Sequence, residues 1–253
     1  MRGPLLEALQ VSKSFGGFRV LENVSTSVSR GRLTLLAGPN GSGKTTLLNI
    51  LSGVLSPDGG RVLFKGIDVT ELPPHERFRL GLARSFQTPL PFRSLSVLEN
   101  LLVPLRFYEE EKPLNMLLSR SWIREEEEAL ERAWKILDLV GLGEVWDKPA
   151  GKLSGGQMKL LELARALMGE PDVLLLDEPL AGVNPSLARR IMSSLRRLAG
   201  EGLGVLFVEH RLDIALSYAD YVYVLHRGVV IAEGSPQEVV GSPRVLSAYL
   251  AAG

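Results

Sequence analysis

The sequence contains no cysteine, which excludes disulfide bonds, thiol catalysis and zinc sites built on cysteine. Histidine is scarce as well, since the only three copies are His75, His210 and His226, too scattered along the chain to suggest a metal cluster. Neither sign of charge is in excess, because the chain has 29 basic residues (Lys and Arg) and 29 acidic residues (Asp and Glu). A net charge of zero argues against nucleic acid as the main partner, although a local basic patch is compatible with it.

Long apolar segments are also missing. No run approaches the roughly 20 residues that a membrane-spanning helix needs, and the N-terminus lacks the apolar core of a signal peptide. Together with the absence of cysteine, this favours a chain of the reducing cytoplasm. The 253 residues, of which 45% are hydrophobic, are enough for one large or two small globular domains.

Short apolar segments alternate with helical patterns along most of the chain. Strands are predicted for LLEALQVS, FRVLENVSTSV, LTLLAG, RVLFKGIDV, DVLLLDEP and GVLFVEH, and a hairpin for YVYVLHRGVVIAEG with its turn at Arg227–Gly228. Helical patterns stand between several of these strands. Such alternation predicts an α/β fold with a largely parallel sheet, into which a helical stretch is inserted at about residues 90–155.

The inserted stretch contains two helix signals. SVLE at 96–99 has the spacing of a capping box. In REEEEALERAWKILDLVGL, Gly141 is the expected C-cap, and the acidic run Glu125–Glu128 is interpreted as the solvated first turn of the helix. The apolar residues of this helix share one stripe and are expected to be buried: Leu130, Ala133, Trp134, Leu137 and Val140.

Residues 38–46 read GPNGSGKTT and match the phosphate-binding pattern G-x-x-x-x-G-K-[ST] between a predicted strand and a predicted helix. The glycines are expected to let backbone N–H groups wrap the phosphates, and the lysine to neutralise the β- and γ-phosphates. Thr45 is expected to offer its hydroxyl to Mg²⁺. The predicted nucleotide-contacting residues of this loop are Asn40, Gly41, Ser42, Gly43, Lys44, Thr45 and Thr46.

Carboxylates follow a second strand, since VLLLDE at 173–178 is an apolar run that ends in Asp177 and Glu178. Ligands of open parallel sheets lie beyond the carboxyl ends of the strands. Asp177 is therefore expected to hold Mg²⁺, and Glu178 to accept a proton from the attacking water. His210 ends GVLFVEH in the same way, either as a sensor of the γ-phosphate or as an ordinary polar residue.

The stretch LSGGQ at 153–157 begins a predicted helix with two residues of poor helix propensity. Ser154 and Gln157 have the spacing of a capping box, yet Gly155 and Gly156 occupy the first turn. One interpretation is a tight strand-to-helix turn. The other is that a ligand approaches this backbone so closely that side chains would obstruct it.

In their order along the chain, GPNGSGKTT, Gln87, LSGGQ, VLLLDEP and His210 resemble the ATP-binding subunit of ABC transporters, over the whole chain. The resemblance implies a single domain, residues 1–253, with a P-loop NTPase core, N-terminal antiparallel strands and the helical insertion. It implies ATP and Mg²⁺ as cofactors, and a dimer in which Ser154, Gly155, Gly156 and Gln157 contact the ATP held by the partner.

Three further roles come from the resemblance alone. Phe15 corresponds to the aromatic residue that stacks on adenine, with a core phenylalanine as the alternative. Gln87 corresponds to the residue that reaches Mg²⁺ and the attacking water and links them to the helical insertion. Asn184 stands in the loop that crosses the dimer, where many members of the family have aspartate.

GLARSFQ, EPLAGVNP, VEH and SPRVLSAYL are similar to importers of branched-chain amino acids and related amides, although Arg211 stands where an acidic residue is expected. The implied partners are a second ATP-binding subunit, membrane-spanning permease subunits and, indirectly, a solute-binding protein. The implied location is the inner face of the cell membrane, where the apolar segment Thr88–Phe92 would dock a permease helix. The alternatives are the ATPase of a lipopolysaccharide-type exporter, a soluble ABC ATPase acting on chromosomes or ribosomes, and a regulatory nucleotide-binding module.

Overall fold

A computed structural model describes residues 3–85, 91–106 and 119–250. The chain divides into two compact units. The first comprises Met1–Gln87, Asp172–Ala181 and Met192–Gly253, and the second comprises Thr88–Pro171 and Gly182–Ile191. The helical insertion expected at about residues 90–155 falls within the second unit, which also takes in residues 156–171 and 182–191.

An antiparallel sheet of four strands belongs to the first unit, in the order β2-β1-β4-β5. Its strands are β1 (Leu6–Phe15), β2 (Phe18–Val28), β4 (Gly59–Phe64) and β5 (Ile67–Asp68). The expected antiparallel N-terminal strands are therefore confirmed. The single strand predicted for RVLFKGIDV is wrong: Lys65 and Gly66 have φ angles of 52° and 79°, and two residues with positive φ turn the chain back into a hairpin.

The second sheet of the first unit has six strands in the order β10-β9-β3-β8-β7-β6. Its strands are β3 (Leu33–Ala37), β6 (Leu82–Arg84), β7 (Val173–Asp177), β8 (Gly204–Val208), β9 (Tyr221–His226) and β10 (Val229–Gly234). All neighbours are parallel except β9 and β10, which form the predicted hairpin at Arg227–Gly228. Every residue of β3, β7 and β8 is buried, which explains why their sequences are mostly apolar.

Five helices lie within the first unit: α1 (Lys44–Leu51), α2 (Pro74–Arg79), α7 (Leu212–Tyr218), α8 (Pro236–Val240) and α9 (Pro243–Leu250). The main core of this unit joins apolar residues of both sheets to α1. Helix α2 was not predicted. Its buried Arg77 donates hydrogen bonds to the carbonyls of Ile50 and Leu51 at the end of α1, at 2.7 and 2.8 Å, and burial lowers the pKa of this guanidinium to about 10.

The second unit contains α3 (Val97–Arg106), α4 (Ser119–Val140) and α5 (Gly155–Leu167), while α6 (Pro185–Gly200) begins in it and ends in the first unit. The capping box before α3 is confirmed, because Ser96 and Glu99 exchange both hydrogen bonds. Gly141 ends α4 with a φ of 71°, as expected of a C-cap glycine. No helix in the described parts of the chain is long and apolar enough to cross a membrane.

Two expectations for α4 are wrong. The described part of the helix already includes Ser119, so Glu125–Glu128 is not its first turn, although Glu126, Glu127 and Glu128 are solvent-exposed as expected. Trp134 is 42% exposed and packs against Trp146 with ring centroids 5.4 Å apart. The buried face is centred on Ala133 and Leu137, and each residue advances about 100° around a helix, which carries Trp134 off that face.

Candidate functional site

The site begins at the loop of residues 38–46, the phosphate loop, which joins β3 to α1. Gly41 has a φ of 74° with nothing within 4 Å of the position of an added Cβ, so its backbone conformation alone calls for glycine. Gly43 has a φ of 106°, and an added Cβ would lie 2.7 Å from Leu21 Cδ2. Positions 41 and 43 therefore both require glycine, and no side chain at either position covers the backbone N–H groups just before α1.

Lys44 lies over this loop. Its Nζ donates to the carbonyl oxygens of Gly38 and Pro39, both at 2.8 Å. Burial lowers the pKa of this ammonium group, while the carboxylates of Glu178 and Asp177 raise it. The lysine charge is thus held among backbone carbonyls at the edge of the sheet where the predicted carboxylates lie.

Two buried oxygen atoms of this region have no hydrogen-bond partner among the described residues: Ser42 Oγ and Asp177 Oδ1. A buried polar atom without a partner costs roughly 1–3 kcal/mol. The hydroxyl belongs to the phosphate loop, and the carboxylate ends the strand β7. Both atoms fit a ligand that brings phosphate oxygens and a hydrated cation, because such a ligand satisfies a hydroxyl donor and a carboxylate acceptor together.

Arg84 was missed by the sequence analysis. Its guanidinium donates to Asn49 Oδ1 of α1 at 2.6 Å, to Ser52 Oγ just after α1 at 2.9 Å, and to Asp177 Oδ2 at 3.3 Å. Burial raises the pKa of Asp177, and the charge of Arg84 lowers it. The available signal was an arginine in an otherwise apolar strand. Its ion pair holds one carboxylate oxygen of Asp177 and leaves the other, Oδ1, without a partner.

Glu178 and His210, each predicted at the carboxyl end of a strand, lie in contact with each other. They follow β7 and β8, which are neighbours in the sheet, and His210 Nε2 lies 3.0 Å from Glu178 Oε1. Glu178 has a φ of 48°, a left-handed conformation that is unusual for a residue other than glycine. Such strained residues cluster at functional sites.

Glu209 is a second residue that the sequence analysis missed. Its carboxylate is buried and accepts hydrogen bonds from the backbone N–H groups of Leu180, His210 and Arg211. Burial raises the pKa of this carboxyl group, and the three N–H donors oppose that rise. A glutamate beside the singled-out histidine was the only signal in the sequence.

Phe15 lies at the end of β1. It is 48% exposed, with the ammonium of Lys13 5.7 Å from its ring centroid, so the alternative of a core phenylalanine is wrong. Gln87 and residues 88–90 of the predicted docking segment lie outside the described residues. Phe92, at the end of that segment, is 46% exposed, and its backbone is held by the side chain of Asn100.

The LSGGQ stretch lies in the second unit. The capping box is confirmed: Ser154 Oγ accepts from the Gln157 N–H at 3.2 Å, and Gln157 Oε1 accepts from the Ser154 N–H at 3.0 Å. The two glycines differ. An added Cβ at Gly156 would lie 2.5 Å from Leu187 Cδ2, whereas an added Cβ at Gly155 would meet nothing within 4 Å. A side chain at 156 would therefore have to displace the end of the Leu187 side chain, whereas position 155 is open.

Asn184, the predicted departure in the loop at 181–184, caps the following helix. Its Oδ1 accepts from the Leu187 N–H at 2.9 Å and from Ser186 Oγ at 2.8 Å, in the first turn of α6. Asparagine and aspartate are about equally good in this role. The departure from aspartate thus leaves the start of α6 intact.

Comparisons with known proteins agree with this geometry. The family model described as ABC transporter matches residues 21–181. A second model, described as branched-chain amino acid ATP-binding cassette transporter, matches residues 229–250, which span β10, α8 and α9.

Two curated relatives match nearly the whole chain. The probable branched-chain amino acid transport ATP-binding protein LivG of Archaeoglobus fulgidus is 46% identical over 248 residues, covering 98% of this chain and 96% of that protein. The lipopolysaccharide export system ATP-binding protein LptB of Acidithiobacillus ferridurans is 37% identical over 246 residues, covering 97% of this chain and 96% of that protein.

Solved structures match as well. The ADP conformation of an ATP-binding cassette of an ABC transporter has a TM-score of 0.85 at 45% identity, covering 98% of this chain and 99% of that chain. A dimeric structure of a bacterial ABC transporter cassette has a TM-score of 0.77 at 27% identity, covering 91% of this chain and 98% of that chain.

Proposed function

This chain belongs to the ABC transporter family, and we propose that it is the ATP-hydrolysing subunit of an importer of branched-chain amino acids. The observation that carries the ATPase assignment is the meeting of four features at one edge of the parallel sheet. The phosphate loop follows β3, His210 follows β8, and Asp177 ends β7 with Glu178 directly after it. These strands are adjacent in the order β3-β8-β7. Ligands of such sheets lie at this edge.

In the proposed site, the phosphate loop binds ATP through its backbone N–H groups and Lys44 neutralises the β- and γ-phosphates. The side chains of Ser42 and Thr46 hydrogen-bond phosphate oxygens, and the exposed ring of Phe15 stacks on adenine. The unpartnered Ser42 Oγ supports this assignment. The exposure of Phe15 supports stacking on a ligand, because a ring in the core would have no free face.

Mg²⁺ would be held by Thr45, by Asp177 and by Gln87, with the phosphates of ATP supplying the remaining ligands. When bound, the ion neutralises charge that develops on the phosphate oxygens. The unpartnered Oδ1 of Asp177 supports this donor set, because a buried carboxylate oxygen needs either a proton donor or a cation. Arg84 cannot meet that need, since its hydrogen bond goes to Oδ2.

Hydrolysis requires a base for the attacking water, and Glu178 is proposed for this role. Its carboxylate contacts His210 Nε2, so the base and the proposed γ-phosphate sensor form one hydrogen-bonded pair. Gln87 is proposed to orient the same water. In this arrangement the carboxylate accepts the proton of the water and the neighbouring histidine contacts the phosphate. Water can then attack the phosphate directly, and hydrolysis needs no covalent intermediate.

We further propose that two copies of the chain, or this chain and a related subunit, form a dimer with composite sites. Ser154, Gly155, Gly156 and Gln157 of one copy would contact the ATP held by the other, with the N–H groups of the first turn of α5 directed at its γ-phosphate. The open space at Gly155 supports this role, because no contact within the chain requires glycine there. The dimeric cassette to which the chain is similar supports it as well.

The further partners are membrane-spanning permease subunits. A solute-binding protein would deliver the solute to these subunits from the other side of the membrane. The chain would then work at the inner face of the cell membrane. Residues 88–92 are proposed as the segment that docks a permease helix, and the exposed ring of Phe92 supports that position. The import of branched-chain amino acids is supported by the match of residues 229–250 and by the name of the relative from Archaeoglobus fulgidus.

The second candidate is the ATPase of a lipopolysaccharide exporter, which the 37% identity to LptB favours. One experiment separates the two. The tagged chain is co-expressed with candidate membrane subunits, the co-purified complex is reconstituted in liposomes with its solute-binding protein, and ATP-dependent uptake of labelled leucine, isoleucine and valine is measured. Uptake that is lost in the Glu178→Gln complex supports the importer. Recovery of lipopolysaccharide-export subunits without such uptake would transfer the assignment to the exporter.

A further inference from the structure

The buried carboxylate of Glu209 joins two loops of the candidate site. Its Oε1 accepts the backbone N–H of Leu180 at 2.5 Å. Its Oε2 accepts the N–H of His210 at 3.1 Å and that of Arg211 at 3.4 Å. Leu180 belongs to the turn after β7, and His210 to the loop after β8, so one side chain bridges the ends of two neighbouring strands.

Only a carboxylate meets this arrangement. Both of its oxygens face N–H donors, and a carboxylate accepts hydrogen bonds at both oxygens. The amide of glutamine would turn its NH₂ group towards N–H donors in either orientation. A charge that is 2% exposed is tolerated because several hydrogen bonds compensate its burial.

The two bridged loops carry the pair at the centre of the proposed chemistry. Glu178 lies two residues before Leu180, with a φ of 48° and with its N–H bonded to the Val208 carbonyl at 3.0 Å. His210 is the neighbour of Glu209 and contacts Glu178 at 3.0 Å. A glutamate with a left-handed backbone conformation persists only where surrounding contacts hold it. The hydrogen bond that the Leu180 N–H donates to Glu209 is such a contact.

We propose that Glu209 is a positioning residue that locks the loop carrying His210 to the turn carrying Glu178, so that the two side chains keep their contact and shift together. A displacement of His210 by the γ-phosphate is then passed to Leu180 and to residues 181–184, which follow it in the chain. This inference rests on the proposed function, in which Glu178 and His210 act on ATP.

The first test is kinetic and uses the full chain. Glu209→Gln should lower kcat about 10- to 100-fold, because loss of alignment at a reacting centre costs that much. The affinity for ATP should stay within about twofold, since the phosphate loop is untouched. The matched control is Asp220→Asn, which alters a carboxylate that also accepts a backbone N–H, that of Leu33 at 2.8 Å; it should leave kcat unchanged.

The second test observes His210 directly. The chain has three histidines, so its imidazole NMR signals are few and can be assigned by substitution. Glu209→Gln should shift the signal of His210 and leave those of His75 and His226 in place, which a general loss of stability would not do. In a His210→Ala background, Glu209→Gln should cost a smaller factor in single-turnover hydrolysis than it does in the unmodified chain.

A second variant, Glu209→Asp, keeps the inference testable if Glu209→Gln does not fold. Glu209→Asp keeps the charge but is one methylene shorter, so it cannot span both sets of donors and should show the same kinetic split. An unchanged kcat with an unchanged His210 signal in a folded Glu209→Gln protein would overturn the inference, as would equal losses in both backgrounds. If Glu178→Gln itself hydrolysed ATP normally, the proposed function would fail instead, so the two failures are distinguishable.

Discussion

Gly155 offers the sharpest test of a composite ATP site, because a Cβ added at this position meets nothing within 4 Å, whereas one added at Gly156 meets Leu187. The start of α5 has open space around Gly155, without a positive φ, so alanine fits there without strain. Replacing a helical glycine by alanine gains up to about 1 kcal/mol in a helix interior and less in the first turn. For a chain of this size, a gain of about 0.5 kcal/mol raises Tm by roughly 1–2 °C.

Gly155→Asp adds a negative charge at the same open position. For the isolated chain this is neutral or stabilising by about 0.3–1 kcal/mol, because the helix dipole favours an anion at its N-terminus. In a composite site, the same carboxylate meets the partner's γ-phosphate. We expect ATP-driven dimerisation to fall at least about tenfold, equivalent to roughly 1.4 kcal/mol. The variant should therefore be at least as stable as the unmodified chain, while its rate of hydrolysis should fall with the loss of the dimer.

The assay combines a melting curve, a nucleotide titration and size-exclusion chromatography with ATP in a Glu178→Gln background, which is expected to trap the dimer. Gly156→Asp is a less clean test, because its Cβ would lie 2.5 Å from Leu187 Cδ2 and would displace that side chain, which adds a packing effect to the electrostatic one. Ser154→Ala is equally ambiguous, since loss of the cap costs about 1 kcal/mol in any case. Hydrolysis at the normal rate by Gly155→Asp would refute the composite site.

Four other outcomes are expected. Lys44→Ala should lose ATP affinity, whereas Glu178→Gln should bind ATP and lose turnover; normal hydrolysis by Glu178→Gln would contradict its role as the base. Phe15→Ala should weaken ATP binding with little change in Tm, because the ring is half exposed; an unchanged titration would exclude stacking on adenine. Leu90→Asp should leave the isolated chain folded and able to bind ATP but should stop assembly with permease subunits, as a pull-down would measure; unfolding would mean that residue 90 is part of a core. Arg77→Met should cost about 3 kcal/mol or more in the free energy of unfolding, because four backbone carbonyls, two of them buried, lose their donor. Arg79→Met at the exposed surface should cost almost nothing in the same denaturant titration.

The sequence by itself determined those features that depend on neighbours in the chain. The phosphate loop is set by its glycine spacing between a strand and a helix. The two predicted capping boxes, at Ser96 and Ser154, are set by a serine three residues before a glutamate or glutamine. Buried strands were evident because β3, β7 and β8 are covered on both faces, which requires mostly apolar residues. Asp177 and Glu178 at the end of β7 and His210 after β8 were each predicted at the carboxyl end of a strand, where ligands of parallel sheets lie.

Only the tertiary structure decided which strands are neighbours and what the polar side chains reach. Arg84 contacts Asp177 across 93 residues, and Glu209 reaches Leu180 across 29; no local pattern encodes contacts of that range. The distinction between Gly155 and Gly156 also depends on Leu187, which a different helix supplies. The misplacement of Trp134 has the same origin, because periodicity marks an apolar stripe without its centre. Local chemistry thus specified the parts of the site, while packing between distant segments specified their alignment.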